Sequence, residues 1–336
     1  LHEKDSALSH PTSPERGMLL KLLKNFFWRP SKLFYNLTDM TLIFRPFLLL
    51  IVSFVCLFSP LKSGDAKGVA AFSFRPTVDQ GKFFSIYDHT KTSEGEWNSG
   101  VTQGFAYKVL SVERTNAPKD PLVKKAALLH LSVARGFWDG RLMMGIEAPV
   151  GMHERGLLTV VGGGTRDKFV IGDPQLVAKF KFHESENKKF HLGFVPHLTI
   201  PTRFESEFAS SSRPTGGAVF ILESVFDRMN VVANLGAQFR QGFTIGNQRN
   251  RHSGLASVGV ARDFGAGYSG AVEVNARSDL RDPFDTGRES LVEYLFGLKR
   301  NFAESNAQVY LMGGAGASSE NGVPKWRTAL GWKQSF

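Results

Sequence analysis

The chain predicts an all-β protein: a transmembrane antiparallel up-and-down β-barrel of about 12 strands, preceded by a signal peptide. Three observations carry this. After Val101, apolar residues recur at every second position; the connections between such stretches alternate between short and long; and the chain ends on an amphipathic stretch with an aromatic last residue. A period of two is the mark of a strand with two different faces.

The last stretch is the clearest. Trp326, Thr328, Leu330, Trp332, Gln334 and Phe336 share one face, and Arg327, Ala329, Gly331, Lys333 and Ser335 the other. A greasy face with aromatic ends opposite a polar or small one suits a strand between lipid and a lumen. The pattern recurs in 175–183, where Leu176, Ala178, Phe180 and Phe182 oppose Lys179, Lys181 and His183, and in 190–200, where the polar face carries His191, His197 and Thr199. Further on, Asn230, Asn234, Gln238 and Arg240 oppose an apolar row from Val231 to Phe239, and Glu273, Asn275 and Arg277 oppose Val272, Val274 and Ala276. Charges on the inner face of a soluble sandwich would be buried at high cost, whereas a wet or salt-bridged lumen accepts them.

The strands expected are 101–113, 125–136, 141–150, 174–183, 190–201, 216–226, 230–240, 254–263, 267–277, 290–302, 306–315 and 325–336. The sixth, eighth and eleventh alternate less cleanly, which leaves ten or fourteen strands as alternatives. Connections 137–140, 184–189, 227–229, 264–266 and 303–305 are short, while 151–173, 202–215, 241–253, 278–289 and 316–324 are long. In such barrels periplasmic turns are short and outer loops long, so both ends of the barrel are expected on the periplasmic side. An even strand count closes the sheet without an unpaired edge.

Upstream, 46–58 is an apolar run of the length of a secretory h-region, with Arg45 before it and small residues at Gly64 and Ala66. Cleavage before Lys67 is expected, with a site near Ala70 or Ala71 as the alternative and an uncleaved signal anchor as the other reading of the run. This divides the chain into an upstream extension (1–39), a signal peptide (40–66), an N-terminal segment (67–100) and the barrel (101–336). The segment 67–100, broken by Pro, Gly and charges, can thread the lumen, lie beneath the barrel or add a hairpin.

The composition narrows the remaining classes. A single cysteine, Cys56 in the h-region, excludes a disulfide framework and a cysteine metal site. The net charge of +10 is dispersed among apolar residues, so no basic patch for nucleic acid forms. A phosphate loop is not expected at 162–164, since no Lys-Ser/Thr and no helix follows the glycines. No cofactor or metal ligand set is assigned: His191 and His197 lie roughly 20 Å apart along an extended strand. His130 and Ser132 are the one pair suggesting nucleophilic catalysis, without the rest of a hydrolase motif.

Several stretches resemble the barrel region of OmpA-like outer-membrane proteins of the myxobacterial type: 79–85 (DQGKFFS), 171–181 (IGDPQLVAKFK), 193–202 (GFVPHLTIPT) and 314–316 with 322–327 (GAG, GVPKWR). The resemblance covers about 72–336 and implies the outer membrane of a Gram-negative bacterium. Those proteins often carry a peptidoglycan-binding domain after the barrel, and here the chain stops at Phe336. Phe336 on an amphipathic last strand is similar to the signal read by the barrel-assembly machinery, so outer-membrane lipid and that machinery are the partners expected, and the chain is expected to be complete.

The residues expected to line the lumen are His130, Glu147, Lys179, Lys181, His191, His197, Asn234, Gln238, Arg240, Glu273, Asn275, Arg277, Glu293, Lys299, Arg327 and Lys333, with Glu223 among them. Mixed charge of this kind either salt-bridges a small barrel shut or lines a narrow pore. Phe137, Trp138, Phe264, Phe302 and Trp326 fit interface girdles. The function expected is a structural or porin-like barrel passing small solutes. The alternatives are a plugged transporter for hydrophobic compounds and, behind it, a lipid hydrolase.

Overall fold

Alternation over ten or so residues builds a sheet, and the sheet closes. The computed structural model describes residues 74–114, 117–155, 167–202, 210–211, 213–240, 243–245, 248–250, 252–280, 291–317 and 323–336. The expected extension, signal peptide and cleavage site lie outside them, as does the 162–164 glycine run. The strands are β1 (Trp97–Arg114), β2 (Ala117–Phe137), β3 (Leu142–Arg155), β4 (Asp167–Ile171), β5 (Gln175–Glu184), β6 (Phe190–Thr199), β7 (Thr215–Phe226) and β8 (Met229–Phe239). They continue with β9 (Phe243–Ile245), β10 (Gln248–Asn250), β11 (Ser253–Gly265), β12 (Tyr268–Asp279), β13 (Leu291–Phe302), β14 (Ala307–Gly316) and β15 (Trp326–Ser335).

Twelve of these form a closed antiparallel barrel in which each strand pairs with its neighbours in sequence. β1 closes it on β15, with Asn98 opposite Ser335 and Val101 opposite Trp332. The other three lie in the long connections: β4 pairs with the far end of β3, and β9 with β10 as a separate ribbon. The expected boundaries shift most at the first hairpin. β1 and β2 run on to Arg114 and Ala117, so the 114–124 connection expected from the sequence is mostly strand.

The outward face is apolar along every wall. Phe105, Leu131, Ile146, Leu222, Val258, Phe296, Leu311 and Trp332 are all exposed, an arrangement that suits lipid and not water. At the short-turn end the chain reverses tightly. Gly265 pairs with Tyr268 across Ala266 and Gly267, both at positive φ (51° and 79°), the mirror-image turn that fits strand twist. A Cβ at Gly267 would stand 2.4 Å from the Asn301 carbonyl oxygen. Arg135 packs over the rings of Trp97 and Phe137, and Arg300 over Tyr268 and Phe302, at this same end.

One bulge changes the faces. β5 and β6 pair in regular register to Lys181–Gly193, after which His183 pairs with Leu192 and Glu184 with His191. Phe182 is the extra residue. The slip turns His183 outward, where it is exposed, and corrects its expected place on the lumen face.

Residues 74–92 fill the barrel, and 93–96 lead from it to β1. The side chains of Phe74, Val78, Phe83, Phe84 and Ile86 are buried together with inward residues from around the wall, among them Met143, Val177, Ile221, Leu295, Tyr310 and Met312. Inward glycines make room for the two Phe rings. A Cβ on Gly259 would meet Phe83 at 2.5 Å, and one on Gly297 would meet Phe84 at 2.8 Å.

Candidate functional site: a clamped plug beneath a polar vestibule

An irregular segment inside a barrel has no ladder of its own, so its backbone polar groups must find other partners. Here the wall's charged side chains supply them. Lys299 Nζ donates to the carbonyls of Gly81 (2.9 Å) and Phe83 (2.6 Å). Lys333 Nζ donates to Thr77 Oγ1 (2.8 Å) and the Asp79 carbonyl (2.5 Å). Lys179 Nζ pairs with the Asp79 carboxylate and donates to the carbonyls of Asp88 (3.2 Å) and Thr90 (2.9 Å). All three lysines are buried. Full burial of a charge is tolerated only with such partners.

Carboxylates on the wall take the plug's donors. Glu273 accepts from the Phe84 amide, from the Ser85 amide (3.1 Å) and from Ser85 Oγ (2.5 Å), and Asn275 Nδ2 donates to the same hydroxyl (3.0 Å). Glu223 accepts from the His89 amide (2.7 Å) and Asn230 Nδ2 (2.6 Å). Glu147 pairs with Arg75 of the plug and with His130 Nδ1 at 2.6 Å. In the plug itself, burial raises the Asp88 carboxyl, and the Lys179 ammonium with the Lys82 and Thr90 amides outweighs it, leaving it below the usual carboxylate range. Burial, helped by the nearby His191, Lys181 and Lys179 charges, pushes the His89 imidazole down to about 3. It is therefore neutral at pH 7.

Toward the long loops the lumen opens into a cavity of about 220 Å³. Its lining includes the polar Arg75, His197, Asn234, Gln238, Asn275, Arg277 and Glu293 beside the apolar Val219, Leu255, Leu291 and Val323, and Phe74 and Tyr87 of the plug border it. Gln238 Oε1 accepts from both Arg240 and Arg277, while Glu293 pairs with Arg327, whose guanidinium also lies over the Phe74 ring. The rim is tied by Asp173, which accepts from the Thr202 amide (3.0 Å) and the Ser211 amide (2.6 Å). This joins two of the segments that carry the OmpA-like resemblance.

The residues expected in the lumen thus divide. His130, Glu147, Lys179, Glu273, Lys299 and Lys333 hold the plug. His197, Asn234, Gln238, Arg277 and Glu293 line the vestibule, Asn275 serves both, and Arg240 and Arg327 bind vestibule side chains. His191 stacks on His89 of the plug, and Lys181 Nζ is buried without a hydrogen-bond partner among the described residues. Ser132 Oγ donates to the Gly100 carbonyl at 3.4 Å while His130 bonds Glu147, and no hydrogen bond joins the two among the described residues. Phe336 points its ring outward as its backbone pairs with Trp97. Sequence reasoning missed Arg75, Asp79 and Asp88, the plug's own charges. The signals present were charges interleaved with the apolar pieces Phe83–Phe84 and Ile86–Tyr87, and the strand glycines at 259 and 297.

No known family model and no curated protein matches the chain. Among solved structures it is similar to the COG4313 outer membrane channel from Pseudomonas putida F1, with TM-score 0.59 and 17% identity over 75% of this chain and 99% of that one. It is also similar to the transport unit of the autotransporter AIDA-I from Escherichia coli (TM-score 0.46, 10% identity, 75% and 93% of the two chains). A third is the CymD monoaromatic hydrocarbon channel (TM-score 0.41, 13% identity, 73% and 89%). At such identities the likeness establishes the fold, an outer-membrane β-barrel, and the first structure carries it. The OmpA-like resemblance rests on the quoted segments alone.

Proposed function

We propose that the protein is an outer-membrane channel for small polar solutes, favouring anions, whose lumen is throttled by residues 74–92. The observation that carries this is the vestibule: a chamber above the plug, lined by apolar side chains and a set of polar ones, in which Arg277 is hydrogen-bonded to the neutral Gln238. A guanidinium with a neutral acceptor leaves positive potential in the chamber, which raises the local concentration of anions. The short-turn end faces the periplasm in this reading, a cleaved signal peptide delivers the chain, and Phe336 on the last strand is read by the barrel-assembly machinery. Catalysis plays no part in it, because the Ser132 hydroxyl is turned onto the Gly100 carbonyl and no hydrogen bond joins it to His130 among the described residues.

The test is the zero-current potential of single channels in a salt gradient. A potential of the sign set by anion permeation, reduced in Arg277→Gln, supports the reading. Cation preference unchanged by that substitution removes it.

A second reading, a route for hydrophobic compounds, has one observation behind it. Small inward residues Gly104, Ala106, Ala126 and Ala329 surround a cavity beside Phe74 that reaches the outward-facing Phe105 and Thr328. Its volume, about 20 Å³, is that of roughly one water molecule. The vestibule is therefore the stronger basis.

A further inference from the structure

The bulge at Phe182 has a consequence at the short-turn end of the lumen. Without it, Glu184 would follow Leu176, Ala178 and Phe180 onto the outward face, since side chains alternate along a strand. The one-residue slip places Glu184 directly opposite His191 instead. Bulges are a means of re-aiming a side chain. Here it brings a carboxylate beside an inward-facing imidazole.

The plug delivers the third group. The His89 ring stacks on His191 with centroids 4.4 Å apart and planes 18° from parallel. One ligand atom from each of His89, Glu184 and His191 lies within 4.8 Å of the other two. Both imidazoles are 8% exposed. Each keeps one buried nitrogen, His89 Nε2 and His191 Nδ1, without a hydrogen-bond partner among the described residues. Two buried lone-pair or N–H groups facing no partner are unusual, because such atoms are nearly always satisfied. The His89 backbone is fixed meanwhile by Glu223, which also lies opposite His191 across β6 and β7.

We infer that His89, His191 and Glu184 form a binding site for a divalent transition-metal cation, zinc being the representative ion, which staples the plug to the β5–β6 hairpin. Two imidazoles and one carboxylate suit zinc and its neighbours and do not suit calcium or magnesium, which take oxygen ligands. Metal–nitrogen bonds of about 2.0–2.1 Å require the ligand atoms to close up, which side-chain rotation provides. Lys91 supplies the competing positive charge: its ammonium stands 3.1 Å from Glu184 and its side chain is 60% exposed, so it is free to swing into solvent when a cation arrives. The site is at the hinge of plug and wall, so the bound ion restrains the plug. The inference holds whether or not the barrel conducts.

The experiment is calorimetric titration of the tag-free, detergent-solubilised protein with zinc chloride, with cobalt(II) absorption as a second readout. One equivalent per chain is expected, with affinity at least tenfold weaker in His89→Ala and Glu184→Gln. Lys91→Met, which removes the competing ammonium, is expected to tighten binding several-fold. Heat-modifiable migration on a gel shows that each variant is folded, and His89, outside the strands, can be changed without touching the wall. Absence of saturable binding in the wild-type protein overturns the inference. So does equal affinity in folded wild type and His89→Ala, which would place the ion elsewhere.

Discussion

The two ends of the lumen use the same residue types to opposite effect. In the lower part, Lys179, Lys299, Lys333 and Glu273 are buried and turned onto the plug's backbone. In the upper part, Arg277, Gln238, Asn234 and His197 line open space. Both sets stand on the inward face of their strands and are indistinguishable by alternation. What separates them is how far residues 74–92 fill the barrel: they pack against the wall at one level and only border the open space at the other. A lumen-facing charge is thus either a structural clamp or a solute contact according to what fills the barrel at its height.

Breaking the clamp should give the largest effect. Lys179→Met leaves the Asp79 carboxylate buried without its ammonium, a loss of about 3–5 kcal/mol for a broken buried pair. Because only the plug depends on it, the barrel should remain heat-modifiable while 74–92 becomes sensitive to protease and conductance rises. Next comes steric expulsion. Gly259→Val puts a side chain where the Phe83 ring lies, an overpacking cost of about 1–3 kcal/mol, and the same proteolysis assay should report it at lower amplitude.

In the vestibule the expected effect is on selectivity, not on folding. Arg277→Glu should reverse or abolish anion preference in zero-current potentials while the protease resistance of the plug is unchanged. A change in plug protection there would blur the two regions into one. The smallest effect is outside both: Ala266→Asn, at a left-handed turn position that Asn adopts more readily, should raise barrel stability by about 0.5–1 kcal/mol in urea unfolding.

The barrel was legible because lipid on one side and polar groups on the other impose alternation that survives in the sequence. The last strand shows it residue by residue, from Trp326 to Ser335. The weaker strands have a physical reason for being weak. On β7 the inward face carries Val219 and Ile221, on β11 Leu255, Gly259 and Ala261, and on β14 Tyr310 and Met312. Most of these apolar inward residues pack on the plug, so the inner and outer faces no longer differ in polarity. The plug itself was not legible as such. Its order comes from side chains 72 to 256 residues away in sequence, for example Lys333 on Asp79 and Glu273 on Ser85. No local period records such contacts. The bulge that moves His183 and Glu184 was equally hidden, because a one-residue slip leaves composition unchanged.

The most direct test of the central claim is single-channel conductance of the protein with and without residues 74–92, each verified as a heat-modifiable barrel. Small, infrequent steps in the intact protein and several-fold larger, steady steps after deletion are the result this account requires. Equal conductance in the two folded forms would contradict it, because the plug would then not close the lumen.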